Sequence, residues 1–167
     1  IVRTNLAFGS MDSSVKVLQI TSAVKGEGKT TTAANLAISL AQAGFRTLVI
    51  DADLRKPSIH KILGLQGVES GLSELLTSGR GWESVVEPTT TPNLFCIPSG
   101  PIPSNPAELL SGKRMKELLD EVREQYDMVV VDTPPVISVS DASVVASRVD
   151  GIIFVADSQE ERLDENI

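Results

Sequence analysis

Ser22-Ala23-Val24-Lys25-Gly26-Glu27-Gly28-Lys29-Thr30-Thr31 separates an apolar run ending at Thr21 from a stretch of helical periodicity that starts near Thr30. A loop of this composition binds phosphate. It has to turn tightly from strand to helix while aiming several backbone N–H groups at one anion, and Gly26 and Gly28 permit the backbone angles this requires. The following helix adds the positive end of its dipole. Lys29 is placed to reach β- and γ-phosphate oxygens, and the Thr30 hydroxyl to take a position on Mg²⁺. Ala23 stands where the strict G-x-x-x-x-G-K-[ST] pattern has its first glycine, the one departure from it. Lys25, Gly26, Glu27, Gly28, Lys29, Thr30 and Thr31 are therefore the expected nucleotide-binding residues, although no individual role falls to Glu27.

Moving outward, Ala33, Ala34, Leu36, Ala37, Leu40 and Ala41 give a small-residue helix able to approach a sheet closely, with Gly44 as its C′ residue. Thr47-Leu48-Val49-Ile50-Asp51-Ala52-Asp53 is then a short buried strand with two carboxylates at its C-terminal end, where ligands bind in open parallel sheets. One aspartate there reads as a cap for the next turn. Two in i, i+2 array beside a phosphate loop point to Mg²⁺ or a general base. Arg55 is open to three readings: a phosphate contact, a subunit contact or a solvated loop residue. His60 has no partner pattern. Met128-Val129-Val130-Val131-Asp132-Thr133-Pro134-Pro135 is the second strong motif, an apolar strand ending in an aspartate for the metal, with a stiff exit placed to sense the γ-phosphate.

The remaining segments fill in a β-α-β alternation. Val15–Ile20, Leu94–Ile97 and Gly151–Ala156 read as buried strands, and 71–76 and 82–86 as short helical pieces. A rigid proline-rich loop over 98–106 is expected to line the site. Asn105, Pro106 and Glu108 mark a helix start, and Ser111 is expected to cap a second helix whose buried stripe is Met115, Leu118, Leu119 and Val122. Tyr126, the only tyrosine, follows that helix on the side away from the phosphate loop. The pattern predicts an α/β domain: a mostly parallel sheet with helices on both faces, of the phosphate-loop NTPase type.

Composition limits the rest. The 167 residues suit one domain, and 41% hydrophobic content with mixed charge is that of a globular chain. No apolar run reaches the length of a membrane span. One cysteine, Cys96, excludes an internal disulfide. A net charge of −7, from 22 acidic and 15 basic residues, argues against a general nucleic-acid surface. The apolar spacing of Ile1–Phe8 reads as the end of a helix, and the polar stretch after Asp157 interrupts a sheet expected to continue, so the domain is expected to be truncated at both ends.

Together, 23–30, the D-x-D-x-R strand 48–57, the segment 101–110 and 131–135 resemble the bacterial tyrosine kinase family over nearly the whole chain. The D-x-D-x-R strand is the most specific part. Arg3-Thr4-Asn5 is similar to the close of that family's oligomerisation helix. The resemblance implies that Lys29 and the loop amides hold ATP phosphates. Thr30 and Asp132 would hold Mg²⁺, while Asp51 and Asp53 would share metal binding and acceptance of the tyrosine proton. It also implies trans-phosphorylation within a homo-oligomeric ring and a membrane-embedded activator at the cytoplasmic face of the plasma membrane. The pathway implied is capsule or exopolysaccharide export.

Two other classes stand beside it. Partitioning and division-site ATPases resemble the same fold but carry a K-G-G-x-G-K loop, whose first lysine falls on Val24 here, with Lys25 one position out of register. A nucleotide-binding assembly module without catalysis would not need intact Lys29, Asp51, Asp53 and Asp132. A GTPase is disfavoured because no N-K-x-D-type motif is present.

Overall fold

Six strands, β1 (Val17–Ser22), β2 (Thr47–Asp51), β3 (Glu87–Pro88), β4 (Leu94–Ile97), β5 (Met128–Asp132) and β6 (Gly151–Val155), form one sheet in the order β3-β4-β2-β5-β1-β6. This is a computed structural model, describing residues 15–25, 28–66, 68–137 and 139–156. The readings of Ile1–Phe8 and Arg3-Thr4-Asn5, the loop residues Gly26 and Glu27, and the stretch from Asp157 lie outside them. Every neighbouring pair is parallel except β3 with β4.

The helices are α1 (Lys29–Gln42), α2 (Ile59–Ile62), α3 (Leu72–Ser78), α4 (Pro106–Ser111), α5 (Lys113–Gln125) and α6 (Asp141–Ala146). Strand alternation divides them between the two faces. Ile20, Val49 and Val130 pack with Leu36 and Leu40 of α1 and Ile59 of α2. Ile50, Val129 and Val131 point the other way, onto Leu72, Leu110, Leu118 and Val145 of α3 to α6. Burying each such side chain stabilises by about 1.5–3 kcal/mol. A one-residue slip would exchange the faces of a whole strand, so the register is strongly specified. Ala33, Ala34 and Ala37 are fully buried, which lets α1 lie close on the sheet.

That register matters for the site. In the β2–β5 ladder Asp51 is directly opposite Asp132, so both aspartate strands end at the same level on the C-terminal edge. β1 feeds the phosphate loop onto that edge from the far side of β5.

Several expectations need correction. Ser111 closes α4, its hydroxyl donating to the Glu108 carbonyl, and Gly112 occupies the N-cap of α5. The piece over 82–86 shrinks to a single 3-10 turn, Trp82–Ser84, followed by β3, which the sequence reading missed because two residues carry no periodicity. Among the described residues β6 stands at the edge of the sheet, with Ile152 48% and Phe154 58% exposed, where a buried strand was expected. The loop over 98–106 turns away from the cleft onto α3. The Leu72 and Ser73 amides donate to the Pro98 and Ser99 carbonyls, and Ser73 Oγ donates to Pro101 O at 2.6 Å. That crossing requires glycine at 71, where an added Cβ would stand 2.3 Å from both Gly100 N and Pro98 O.

Candidate active site

At the C-terminal edge of β1, β2 and β5 lies a cleft of about 620 Å³ whose walls include Gly28, Lys29, Thr30, Asp53, Pro134 and Pro135. Gly28 precedes α1 with φ +74°, a left-handed conformation that glycine adopts without strain, and its carbonyl accepts the Thr32 amide at 2.9 Å. The exits of β1 and β5 are stapled together. Thr21 Oγ1 donates to the Pro134 carbonyl, and the Val136 amide to the Ser22 carbonyl, both at 2.9 Å.

Lys29 is buried and its ammonium is shared by two of the aspartates. Nζ lies 2.7 Å from Asp132 Oδ1 and 3.8 Å from Asp53 Oδ2. Thr30 Oγ1 donates to the other Asp132 oxygen at 3.0 Å. A lysine, a hydroxyl and a carboxylate from residues about a hundred positions apart therefore meet at one point. Burial raises the Asp132 carboxyl above the usual carboxylate range, with the Lys29 charge and the Thr30 hydroxyl pulling against it.

Asp51 is wholly enclosed. Its Oδ1 accepts the Asp53 amide, and its Oδ2 accepts the Ser58 and Ile59 amides, all at 3.2 Å. Burial, with Asp132 alongside, pushes its carboxyl up to about 8 despite those amides. Asp53 differs. Its Oδ1 accepts the Lys56 amide at 3.0 Å, but the residue lines the cleft. Both aspartates thus do the capping work that a bland reading of the sequence assigned them. Asp53 additionally presents an oxygen to the space in front of Lys29.

The residues fit a hard dication. Among the described residues no cluster of three or more His, Cys, Asp or Glu makes a protein-only metal cage. Mg²⁺ does not need one, since it is commonly held by one or two carboxylates together with substrate phosphates and waters. The Thr30 hydroxyl and the Asp132 carboxylate converge suitably for it, and Asp51 stands beside them.

Of the other candidates, Lys25 and Thr31 line the cleft. Thr133 does not reach it. Its hydroxyl donates back to the Ile20 carbonyl at 3.1 Å and accepts from Gln19 Nε2 at 2.9 Å, leaving Pro134 and Pro135 as the wall. His60 enters no constellation with other titratable groups. Cys96 is buried, and burial raises its thiol, which suits packing and not redox chemistry. Tyr126 lies at the opposite end of the sheet, 3% exposed, between Trp82 and Phe95.

Two contributors escaped the sequence reading. Asp141 is fully buried and holds Arg55 bidentately, Nε at 2.9 Å and Nη2 at 3.1 Å. Gln19, an unremarked polar residue in a central strand, donates from Nε2 to the Ala142 carbonyl at 2.8 Å as well as to Thr133. The signal for Gln19 was present: an amide amid buried aliphatics needs a partner. For Asp141 there was none, because an acidic residue after Ser140 is what any helix start shows.

Comparison with known proteins bears directly on this site. Residues 15–161 match the model of the AAA domain family. The tyrosine-protein kinase YwqD of Bacillus subtilis (strain 168) is 48% identical over 157 residues, covering 94% of this chain and 66% of the relative. The solved VpsO kinase domain superposes with a TM-score of 0.85 at 39% identity, over 94% of this chain and 78% of that one. The chain belongs to the bacterial tyrosine-protein kinase family. It spans about two thirds of the length of relatives such as YwqD. The septum site-determining protein MinD of Pyrococcus horikoshii, solved with Mg-ADP, matches with a TM-score of 0.76 at 23% identity, over 90% of this chain and 61% of that one, a likeness of fold alone. This chain and that protein thus share the fold. Sequence kinship places this chain with the kinases.

Proposed function

We propose that this domain transfers the γ-phosphoryl group of ATP to tyrosine hydroxyls of protein substrates. The observation that carries the reading is Asp53, a carboxylate that lines the cleft 3.8 Å from Lys29, whereas Asp51 and Asp132 are fully buried at the same strand ends. Asp53 accepts the phenolic proton as the oxygen attacks phosphorus and ADP departs. Lys29 and the loop from Lys25 to Thr31 bind the phosphates. Thr30, Asp132 and Asp51 would hold Mg²⁺, which would supply neutralisation of charge on the transferred group. Little further chemistry is asked of the protein, since phosphoryl transfer is catalysed chiefly by positioning and electrostatics.

The acceptor is not Tyr126, which is buried at the far end of the sheet. Acceptor tyrosines therefore come from elsewhere, consistent with trans-phosphorylation inside a homo-oligomer. Among the described residues no helix is long and apolar enough to cross a membrane. The same reading places the domain at the cytoplasmic face of the plasma membrane beside a membrane-embedded activator, in the service of capsule or exopolysaccharide export.

The test uses the whole protein with its activator, ATP and Mg²⁺, and reads phosphotyrosine by mass spectrometry. Phosphotyrosine that disappears in Lys29→Met and in Asp51→Asn is the expected result. Hydrolysis stimulated by DNA or lipid without phosphotyrosine would assign the protein to the partitioning ATPases. Nucleotide binding with neither product would make it an assembly module.

A further inference from the structure

Among the described residues, the cleft carries two lysines that belong neither to the phosphate loop nor to an internal ion pair. Its walls include Lys25, Lys29, Arg55, Lys56 and Lys61 against one carboxylate, Asp53, in a protein whose net charge is −7. These cations are not equivalent. Lys29 is buried on Asp132 and Asp53. Arg55 is matched by the fully buried Asp141. Lys25 belongs to the phosphate loop. Lys56 and Lys61 remain: both are exposed, and among the described residues neither has a carboxylate within 4.0 Å.

Their backbone is held firmly all the same. The Lys56 amide donates to Asp53 Oδ1 at 3.0 Å, which ties it to the carboxylate that faces the cleft. Lys61 lies in the last turn of α2, whose first amides are fastened to Asp51. Just before Lys56, Arg55 and its Asp141 anchor fix the strand exit. Two unpaired ammonium groups thus stand on a rigid ledge beside Asp53.

We propose that Lys56 and Lys61 form the acceptor subsite and select tyrosines flanked by aspartate or glutamate. The inference rests on the reading of the cleft as a tyrosine kinase site and adds its substrate class. A peptide whose tyrosine hydroxyl reaches Asp53 lays its neighbouring side chains along residues 55–61, because this segment forms the cleft wall next to Asp53. Carboxylates on that peptide meet two cations that have no internal partner. The acidic remainder of the protein repels the same peptide elsewhere, so selection is local and weakens as salt screens it.

The test compares two synthetic peptides that differ only in carrying glutamates or lysines around one tyrosine, using the whole protein with its activator, ATP and Mg²⁺. The glutamate peptide is expected to have a kcat/KM about tenfold higher, the sum of two modest exposed charge pairs. In the double variant Lys56→Glu/Lys61→Glu the preference should reverse, while Lys56→Arg/Lys61→Arg keeps it. A ratio near one in the wild type, or one unmoved in the charge-reversed variant, overturns the proposal. Because the readout is a ratio, a general loss of folded protein does not imitate it. Fluorescence anisotropy of the two labelled peptides with Mg-ADP gives the same ratio for binding alone. Should neither peptide be phosphorylated, the kinase reading fails, and the anisotropy ratio still supports or overturns the subsite by itself.

Discussion

The two ends of the sheet are built from the same kinds of side chain and put them to opposite uses. At the C-terminal edge, Asp53 and Asp132 share one buried lysine while Asp51 stands opposite Asp132, and burial holds Asp51 and Asp132 above their ordinary range. At the N-terminal edge the central ion pair, Arg123 with Asp150, is partly solvated. Asp150 Oδ2 accepts the Lys16 and Val17 amides at 2.9 and 3.0 Å, and Arg123 pairs with the same carboxylate at 3.0 Å. The Arg46 guanidinium lies 4.8 Å over Phe95 and 4.9 Å over Tyr126, rings that Trp82 completes edge-on. One edge therefore stores electrostatic tension for a ligand to relieve, and the other closes the fold. Stability and activity should separate along that line.

The sharpest way to break the contrast is at Asp132. Asp132→Ala removes the group that meets both Lys29 and Thr30, and phosphotransfer should fall by about a thousandfold, some 4 kcal/mol of transition-state stabilisation, measured as phosphotyrosine formed per minute. At the other edge, Trp82→Ala should lower unfolding free energy by about 3–4 kcal/mol in urea titrations, with the kcat of the folded fraction unchanged. A large loss of kcat there would show that the edges are coupled.

Gly71→Ala comes next. Its Cβ meets backbone on the 98–100 strap, so the side that gives way is main chain, and the melting temperature should drop in proportion to about 1–3 kcal/mol. The affinity for ATP should hold, since that strap lies outside the cleft.

The smallest effect belongs to Asp150. Although its partial burial alone would raise its carboxyl, the Val17 and Lys16 amides and Arg123 together hold it below the usual 3.8. A carboxyl lowered in the folded state contributes stability above its unfolded value and loses it as pH falls through the folded one. Asp150→Asn should thus cost about 1 kcal/mol at neutral pH, and the gap between variant and wild type should close as pH is taken below the unfolded value of 3.8. A gap that stays constant with pH would mean that packing, and not charge, ties β1 to this corner.

Sequence alone carried the phosphate-loop half of the fold because its signals are local. A glycine pair before a helix, and apolar runs ending in aspartate, are legible in windows of ten residues. Gly28, Lys29 and Thr30 stand in the loop-to-helix order expected of them, and Asp51 and Asp132 end adjacent parallel strands. What stayed hidden depends on distant partners. The alternation of Gly151–Val155 reads the same whether one neighbour or two flank the strand, so its edge position was invisible. The Arg55–Asp141 pair spans 86 positions, and nothing near either residue announces the other. The proline loop over 98–106 leaves the correct end of the sheet yet folds back onto α3, a choice made by the Gly71 crossing rather than by its own composition.

The strand order also has a consequence for synthesis. β1 is made first, yet both of its neighbours, β5 and β6, come more than a hundred residues later, and the Lys29–Asp132 contact closes over 103 positions. As the chain leaves the ribosome at roughly 5–20 residues per second, the nascent phosphate loop waits on the order of 5–20 s for the strand that supplies its counter-charge. During that interval β1 and β2 have no common neighbour to join them. The nucleotide site is therefore incomplete until β5 has been made, and a ribosome stalled before β5 would hold a phosphate loop without Asp132, the nearer of the two carboxylates that meet Lys29.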